Sequence, residues 1–161
     1  MPINNIINVT ISSYNAGNQG SSAYIGLDGN GLVLKSALDA TTTWTLIPSL
    51  VPGAETGGFM LYNAAGTGGN QCADRPATPG AGQQITLNDD PTPYGSASYC
   101  WTLWPTGTWN LFGKPIQLWA IQDSQRGPCM DADNSGTGDG TWILLYDWNG
   151  GDNQQWIITP A

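Results

Sequence analysis

The side chains able to act as acids, bases, nucleophiles or ligands are few: twelve carboxylates, four cations and three thiols in 161 residues, with no histidine. Eleven of the carboxylates are Asp, and Glu55 is the only Glu. Without an imidazole there is no Ser-His-Asp or Cys-His relay and no His-ligated zinc site. Cys72, Cys100 and Cys129 are an odd set with no CxxC spacing. That predicts buried reduced thiols, with one disulfide pair left open, and no metal or redox motif. Asp131-Ala-Asp133-Asn-Ser135-Gly136 opens like a calcium loop, but its twelfth position is Trp142, which offers no bidentate oxygen, and no helical pattern flanks it. No metal is therefore expected there, and no segment implies a cofactor. What the chain holds in quantity is rings, eight Trp and six Tyr, beside Asp and Asn.

The formal net charge is −8, and charged residues make up 10% of the chain against roughly 25% in an average globular protein. Four cations cannot build a basic groove, and a net anion is repelled by phosphate, so nucleic acid is not an expected partner. No apolar run approaches the roughly 18 residues of a membrane span, so no membrane insertion is expected. Met1-Pro2-Ile3-Asn4-Asn5 has neither a basic stretch nor an apolar core, so no signal peptide is visible and a cytoplasmic protein is expected. Secretion stays open if a leader was removed, and only then does the sequon Asn8-Val9-Thr10 matter.

Short strands must position these groups. Ala, Glu, Lys and Arg are sparse, and Gly, Pro, Asn, Asp and Thr interrupt the chain every few residues, so long helices are not expected. Between the breaks lie β-rich runs at Ile6–Ile11, Leu32–Leu34, Trp44–Ile47, Phe59–Tyr62, Ile85–Leu87, Trp101–Trp104, Ile116–Ile121, Trp142–Tyr146 and Trp156–Ile158. Many short strands with turns between them predict an all-β sandwich or barrel.

Self-similarity narrows that choice. W-x-[LI]-x-P recurs at Trp44–Pro48, Trp101–Pro105 and Trp156–Pro160, with the tryptophans 57 and 55 residues apart. A G-x-G precedes each, at Gly29/Gly31, Gly80/Gly82 and Gly138/Gly140, and leads into an apolar run. The second and third copies also carry C-x-D upstream, at Cys72/Asp74 and Cys129/Asp131. Each unit reads as about four strands: the G-x-G makes a tight turn with φ > 0, the Trp points inward at the start of the last strand, and the Pro ends it. One such unit cannot bury its own apolar face; three around a pseudo-threefold axis can close a barrel and share a core.

The third copy, Gly127-Pro-Cys-Met-Asp131, Gly138-Asp-Gly140-Thr-Trp-Ile-Leu-Leu-Tyr146 and Gly150-Gly-Asp-Asn153-Gln-Gln-Trp156, resembles the ricin-B-type β-trefoil, whose repeats read G-x-C-L-D, then N-G-t-x-ΦQ-L-W/Y, then N-Q-x-W. The match is close over residues 127–156 and holds in outline elsewhere. In size and lack of a visible leader the chain is similar to mushroom cytosolic lectins of that fold. The resemblance implies one all-β domain over 1–161, a β-trefoil of three pseudo-symmetric four-strand repeats at about 3–50, 51–106 and 107–161.

It also implies a site. A hexose offers vicinal hydroxyls on its edges and C–H patches on its faces. Holding it takes an ionised acceptor for two hydroxyl protons, a flat ring for the C–H patch, and amides that both donate and accept. By family position Asp131 is the acceptor, Tyr146 the stacking ring and Asn153 the amide that meets a hydroxyl. Gln154 braces the Asp131 carboxylate, and Trp156 belongs to the core. Asp147, Trp148 and Asn149 are neighbours in sequence that would enlarge the site. Two departures stand out: Leu144 replaces a Gln that the family often has, and the usual disulfide partner of Cys129 would fall near Trp148, where there is no Cys.

The other copies look damaged. The second keeps Asp74 but has Asn88 at the aromatic position and Ser98-Tyr99 for the N-Q pair; the first has Gly26 for the Asp and no aromatic after Gly31. One competent site is expected, in the third repeat, for a galactose- or N-acetylgalactosamine-type sugar. The expected partners are glycans or glycoconjugates. A small pocket of this kind binds monosaccharides near the millimolar range, about −4 kcal/mol, so useful avidity requires oligomerisation, for which a homodimer is one arrangement. No enzyme is expected, since a glycosidase needs two carboxyls about 5–10 Å apart with the pKa of one raised so that it stays protonated, and although Asp131 and Asp133 or Asp147 stand close in sequence, nothing in the sequence marks such a raised acid. Two alternatives compete: a β-trefoil protease inhibitor acting through the loops Pro48–Gly58 or Asn88–Ala97, and a lectin-like subunit with a decayed sugar site that acts through protein partners. Trp104, Trp109, Trp119, Trp142 and Trp148 exceed the needs of a small core and suit a subunit interface or a second ligand surface.

Overall fold

The computed structural model describes residues 6–48, 58–89, 99–123 and 127–161. Most of the two loops considered as inhibitor loops, 49–57 and 90–98, lies outside them, as does Ser98. In chain order the strands are β1 (Ile7–Ser13), β2 (Tyr24–Asp28), β3 (Gly31–Lys35), β4 (Trp44–Pro48), β5 (Phe59–Tyr62), β6 (Asn70–Asp74), β7 (Thr86–Asp89), β8 (Trp101–Leu111), β9 (Lys114–Asp123), β10 (Pro128–Ala132), β11 (Ile143–Asp147) and β12 (Trp156–Pro160). A five-residue helix, α1 (Tyr14–Asn18), follows β1, started by the Ser13 side chain accepting from the Ala16 N–H. Among the described residues no helix is long and apolar enough to cross a membrane.

The pairing repeats with a period of four strands. Within each unit the first strand pairs with the fourth, as β1–β4, β5–β8 and β9–β12. Between units the fourth pairs with the next first, as β4–β5, β8–β9 and β12–β1. Those six strands close into a barrel, which leaves no open sheet edge along the ring. The junctions put apolar residues opposite one another: Leu46 with Leu61, Leu103 with Ile121, and Ile11 with Ile158. The second and third strands of each unit form hairpins, β2–β3, β6–β7 and β10–β11, that cap one end of the barrel. They meet through fully buried residues: the Leu32 N–H donates to the Ile85 carbonyl at 2.9 Å, and the Ile85 N–H to the Ile143 carbonyl at 2.8 Å. The fold is the β-trefoil.

The three repeated tryptophans hold barrel and cap together. Trp44, Trp101 and Trp156 have no solvent exposure, and each indole N–H donates to a carbonyl of its own unit's second strand: Ile25 at 2.8 Å, Ala73 at 3.1 Å and Met130 at 3.1 Å. A buried Trp with its N–H satisfied contributes both apolar area and direction. The repeat thus recurs in the hydrogen bonding, where sequence similarity between copies has largely worn away.

Three expectations need correction. First, β2, β6 and β10 were not among the expected strands. Their segments, YIGLD, NQCAD and PCMDA, are short and broken by Gly or polar residues; pairing with the more apolar β3, β7 and β11 makes them strands. Second, Pro48 and Pro160 end their strands, but β8 runs through Pro105 to Leu111. A bulge between Pro105 and Gly107 absorbs the missing donor. The resulting long hairpin turns at Phe112-Gly113, both at positive φ. Third, the G-x-G pairs are not equivalent glycine for glycine. Gly29, Gly80, Gly82 and Gly140 have positive φ, whereas Gly31 and Gly138 do not. Gly31 opens β3, and a Cβ there would meet the terminal amide of Gln84 at 2.5 Å, so a larger residue would require that side chain to move.

Candidate functional site

The β10–β11 hairpin has one face in the core and one turned away from it. Met130, Ala132, Ile143 and Leu145 belong to the core. Alternation puts Cys129, Asp131, Leu144 and Tyr146 on the other face, where the register pairs Cys129 with Tyr146 and Asp131 with Leu144. Asp131 is only 6% exposed because the turn before β12 folds over it. From that turn Asn153 Nδ2 donates to Asp131 Oδ1 at 2.9 Å and to the Ala132 carbonyl at 3.1 Å. Gln154 Nε2 donates to Asp131 Oδ2 at 2.8 Å and to the Asp147 carbonyl at 2.9 Å, while its Oε1 accepts from the Asn149 N–H at 2.8 Å. The turn is tight because of Gly151, where a Cβ would meet Asn153 Oδ1 at 2.5 Å.

Burial pushes the Asp131 carboxyl above the ordinary Asp range; the hydrogen bonds from Gln154 and Asn153 oppose that shift, and nearby Asp133 adds to it. The same burial, with the charges of Asp131 and Asp147, drives the Cys129 thiol up to about 12, so it stays protonated and unreactive at neutral pH. All three cysteines are buried.

Above Asp131 lies an open pocket of about 300 Å³. Tyr146, which is 45% exposed, Leu144, Asn149 and Asn153 line it together with Asp131. Of the seven residues expected at the site, four therefore share one pocket. Gln154 lies beneath it with no exposure, positioned to fix Asp131 and Asn149 rather than to reach a ligand. Asp147 and Trp148 are exposed but are not among its lining residues.

Several lining residues were not anticipated. Gly80 and Gly82 come from the second repeat; the Gly80 N–H donates to the Leu145 carbonyl at 2.9 Å, and a Cβ on Gly80 would sit 3.9 Å from the Tyr146 ring. Their G-x-G spacing marked a turn, and only the threefold packing says which neighbour that turn faces. Asp133, Asn134 and Ser135 form another wall, with Asn134 and Ser135 at φ of 51° and 56°. Asn15 of α1, itself buried, donates from Nδ2 to the Ser135 carbonyl at 2.9 Å and so props that left-handed wall from the first repeat.

The equivalent places in the other repeats carry different groups: the first has an open depression lined by Val33 and Lys35 but no Asp in the Asp131 register, and in the second only one oxygen of Asp74 is hydrogen-bonded, Oδ1 being buried without a partner among the described residues. In the first hairpin Tyr24 pairs with Lys35 and Gly26 with Val33, so Lys35 occupies the Tyr146 register and Gly26 that of Asp131. A Cβ on Gly26 would meet Lys35 Cγ and Thr41 Oγ1 at 2.9 Å. Lys35 pairs with Asp39 at 3.2 Å. In the second hairpin Asn88 pairs with Cys72, the Tyr146 register, and its Nδ2 donates to Asp74 Oδ2 at 2.7 Å. The carboxylate there is held by the residue that stands where a ring would be.

No protein-family model matches the sequence, and no curated protein matches it. Solved structures do. A designed threefold-symmetric protein, ThreeFoil, superposes with a TM-score of 0.68 at 19% identity, over 96% of this chain and 99% of that one. The Macrolepiota procera ricin B-like lectin, in complex with lactose, gives 0.63 at 19% identity, over 96% and 95%. A Polyporus squamosus lectin, bound to the epitope Neu5Aca2-6Galb1-4GlcNAc, gives 0.68 at 15% identity, over 98% of this chain and 50% of that one. The chain is thus similar in fold to a symmetric designed trefoil and to fungal lectins alike, and it has the β-trefoil fold.

Proposed function

We propose that the protein is a non-catalytic carbohydrate-binding protein with one glycan site, in its third repeat, for a galactose- or N-acetylgalactosamine-type sugar. The observation that carries this reading is the buried Asp131 carboxylate, fixed by Asn153 and Gln154 at the floor of a pocket with the half-exposed Tyr146 ring at its side. An ionised acceptor held rigid costs little to organise when a hydroxylated ligand arrives, and the ring covers the ligand's C–H face. Asn153 and Asn149 supply amides at the rim. The fungal lectins of like fold were solved with lactose and with a galactose-containing epitope, which supports a galactose-type ligand for this site.

The test is a glycan array with wild type and Asp131→Ala, run beside papain and trypsin inhibition assays. Wild type should bind a set of terminal galactose or N-acetylgalactosamine glycans, the variant should lose that signal while keeping its near-ultraviolet circular dichroism, and neither protease should be inhibited. An unchanged array for a folded Asp131→Ala overturns the site; protease inhibition without glycan binding favours the inhibitor reading.

A further inference from the structure

The face of the β10–β11 hairpin that carries Asp131 does not stop at the pocket. Just past Ala132 and Ile143, where the ladder ends, Asp133 opens a 3-10 turn and its N–H donates to the carbonyl of Trp142 at 3.0 Å, while Trp142 bridges to Val33 of the first repeat. Two ladder pairs and one hydrogen-bonded pair beyond the ladder's end therefore follow one another: Cys129 with Tyr146, Asp131 with Leu144, then Asp133 with Trp142. Residues two apart on a strand are about 7 Å apart, so the Leu144 row, which holds the Asp131 carboxylate, has a ring one step away on each side. Both rings are open to solvent, Tyr146 at 45% and Trp142 at 49%. Asp133 lines the Asp131 pocket and also an adjoining depression formed with Gly140, Thr141 and Trp142. Its carboxylate makes no hydrogen bond or ion pair among the described residues, in contrast to Asp131, which receives two amides. The pattern is confined to the third repeat: the matching row has Gly31 opposite Asp28 in the first hairpin, and Gln84, two residues before Thr86, in the second.

We propose that the glycan site extends from Asp131 across Asp133 onto Trp142 and takes a sugar chain of at least two residues. The terminal sugar occupies Asp131 and Tyr146. The next residue lays its C–H face on the Trp142 indole and donates a hydroxyl to the Asp133 carboxylate. An indole offers a larger face than a phenol ring, and an unengaged carboxylate beside it supplies the polar half of the contact. The inference rests on the glycan-binding reading of Asp131, and the two are separable by experiment.

The experiment compares galactose, N-acetylgalactosamine and mannose, each as a single sugar and as the terminal residue of a β-linked disaccharide, by solution titration against wild type, Trp142→Ala, Asp133→Asn and Asp131→Ala. Wild type should prefer the disaccharide of its terminal sugar by roughly three- to tenfold. Trp142→Ala should erase that preference and keep single-sugar affinity; Asp133→Asn, which disturbs no core packing, should reduce it. The extension is overturned if wild type shows no preference, if both variants keep it, or if Trp142→Ala loses single sugars as well. Unchanged single-sugar binding by Asp131→Ala overturns instead the placement of the terminal sugar, and a wild type that binds no sugar overturns both.

Discussion

Gln154 donates its Nε2–H to Asp131 Oδ2 at 2.8 Å from a side chain with no solvent exposure. A buried amide thus links the turn before β12 to the β10 carboxylate, and it also bonds the Asp147 carbonyl and the Asn149 N–H. Fold and site share this one side chain.

Gln154→Leu is close in volume but leaves three buried or half-buried groups without partners. It should cost about 2–4 kcal/mol of stability and weaken glycan binding. Urea unfolding with glycan titration of the same sample reads both, and an unchanged midpoint would refute the linkage.

The pH dependence follows from Asp131. Its carboxyl is held above the ordinary Asp range by burial, and the proposed role as hydroxyl acceptor needs it ionised. Glycan affinity should therefore fall on acidification starting at a higher pH than an exposed Asp, at about 4, would give. The native state binds this proton more tightly than the unfolded chain, so Asp131 itself disfavours the fold above its raised pKa, and that penalty is relieved as pH falls through it. Asp39 and Asp139, whose carboxyls are lowered by hydrogen bonds from Thr41 and Ser36, act in the opposite sense, and their support is lost as pH falls through their lowered range. Binding should thus fade before the fold does. Titration of affinity against pH, with tryptophan fluorescence as the fold readout, checks the order; simultaneous loss would argue against it.

Restoring the missing Asp of the first repeat should not restore a site. A side chain at residue 26 meets Lys35, Thr41 and Thr42 at 2.9–3.0 Å. Gly26→Asp should lower stability by about 1–3 kcal/mol and add no second binding site. Calorimetric stoichiometry decides: two sugars per chain would contradict the blocked geometry.

Each repeated indole should matter to stability through its hydrogen bond as well as its volume. Trp101→Phe leaves the Ala73 carbonyl without the bond it receives at 3.1 Å. The expected loss is about 1–3 kcal/mol, with a similar loss for Trp44→Phe and Trp156→Phe. Chemical denaturation of the three variants measures it, and a neutral result in all three would show that the shared indole bond is not a strut of the fold.

The sequence by itself determined the repeat, its count and its inward tryptophans, because a unit that cannot bury its own apolar face must recur and must keep the residues that fill the shared core. Through the resemblance of its last unit to the ricin-B-type repeat it also pointed to Asp131, Tyr146, Asn153 and Gln154, each by its place in that motif. It could not mark β2, β6 and β10, whose polar segments become strands only through their hairpin partners. Nor could it place Gly80 and Gly82 against Tyr146, or Asn15 beneath Ser135, for these contacts join different repeats across the pseudo-threefold axis. Only tertiary structure decided that Gly26 is walled in, that Asn88 bonds one oxygen of the Asp74 carboxylate, and that Trp142 stands beside Asp133 just past the end of the β10–β11 ladder. Local pattern is written in neighbouring residues, whereas the borders of a site are set by how whole units pack.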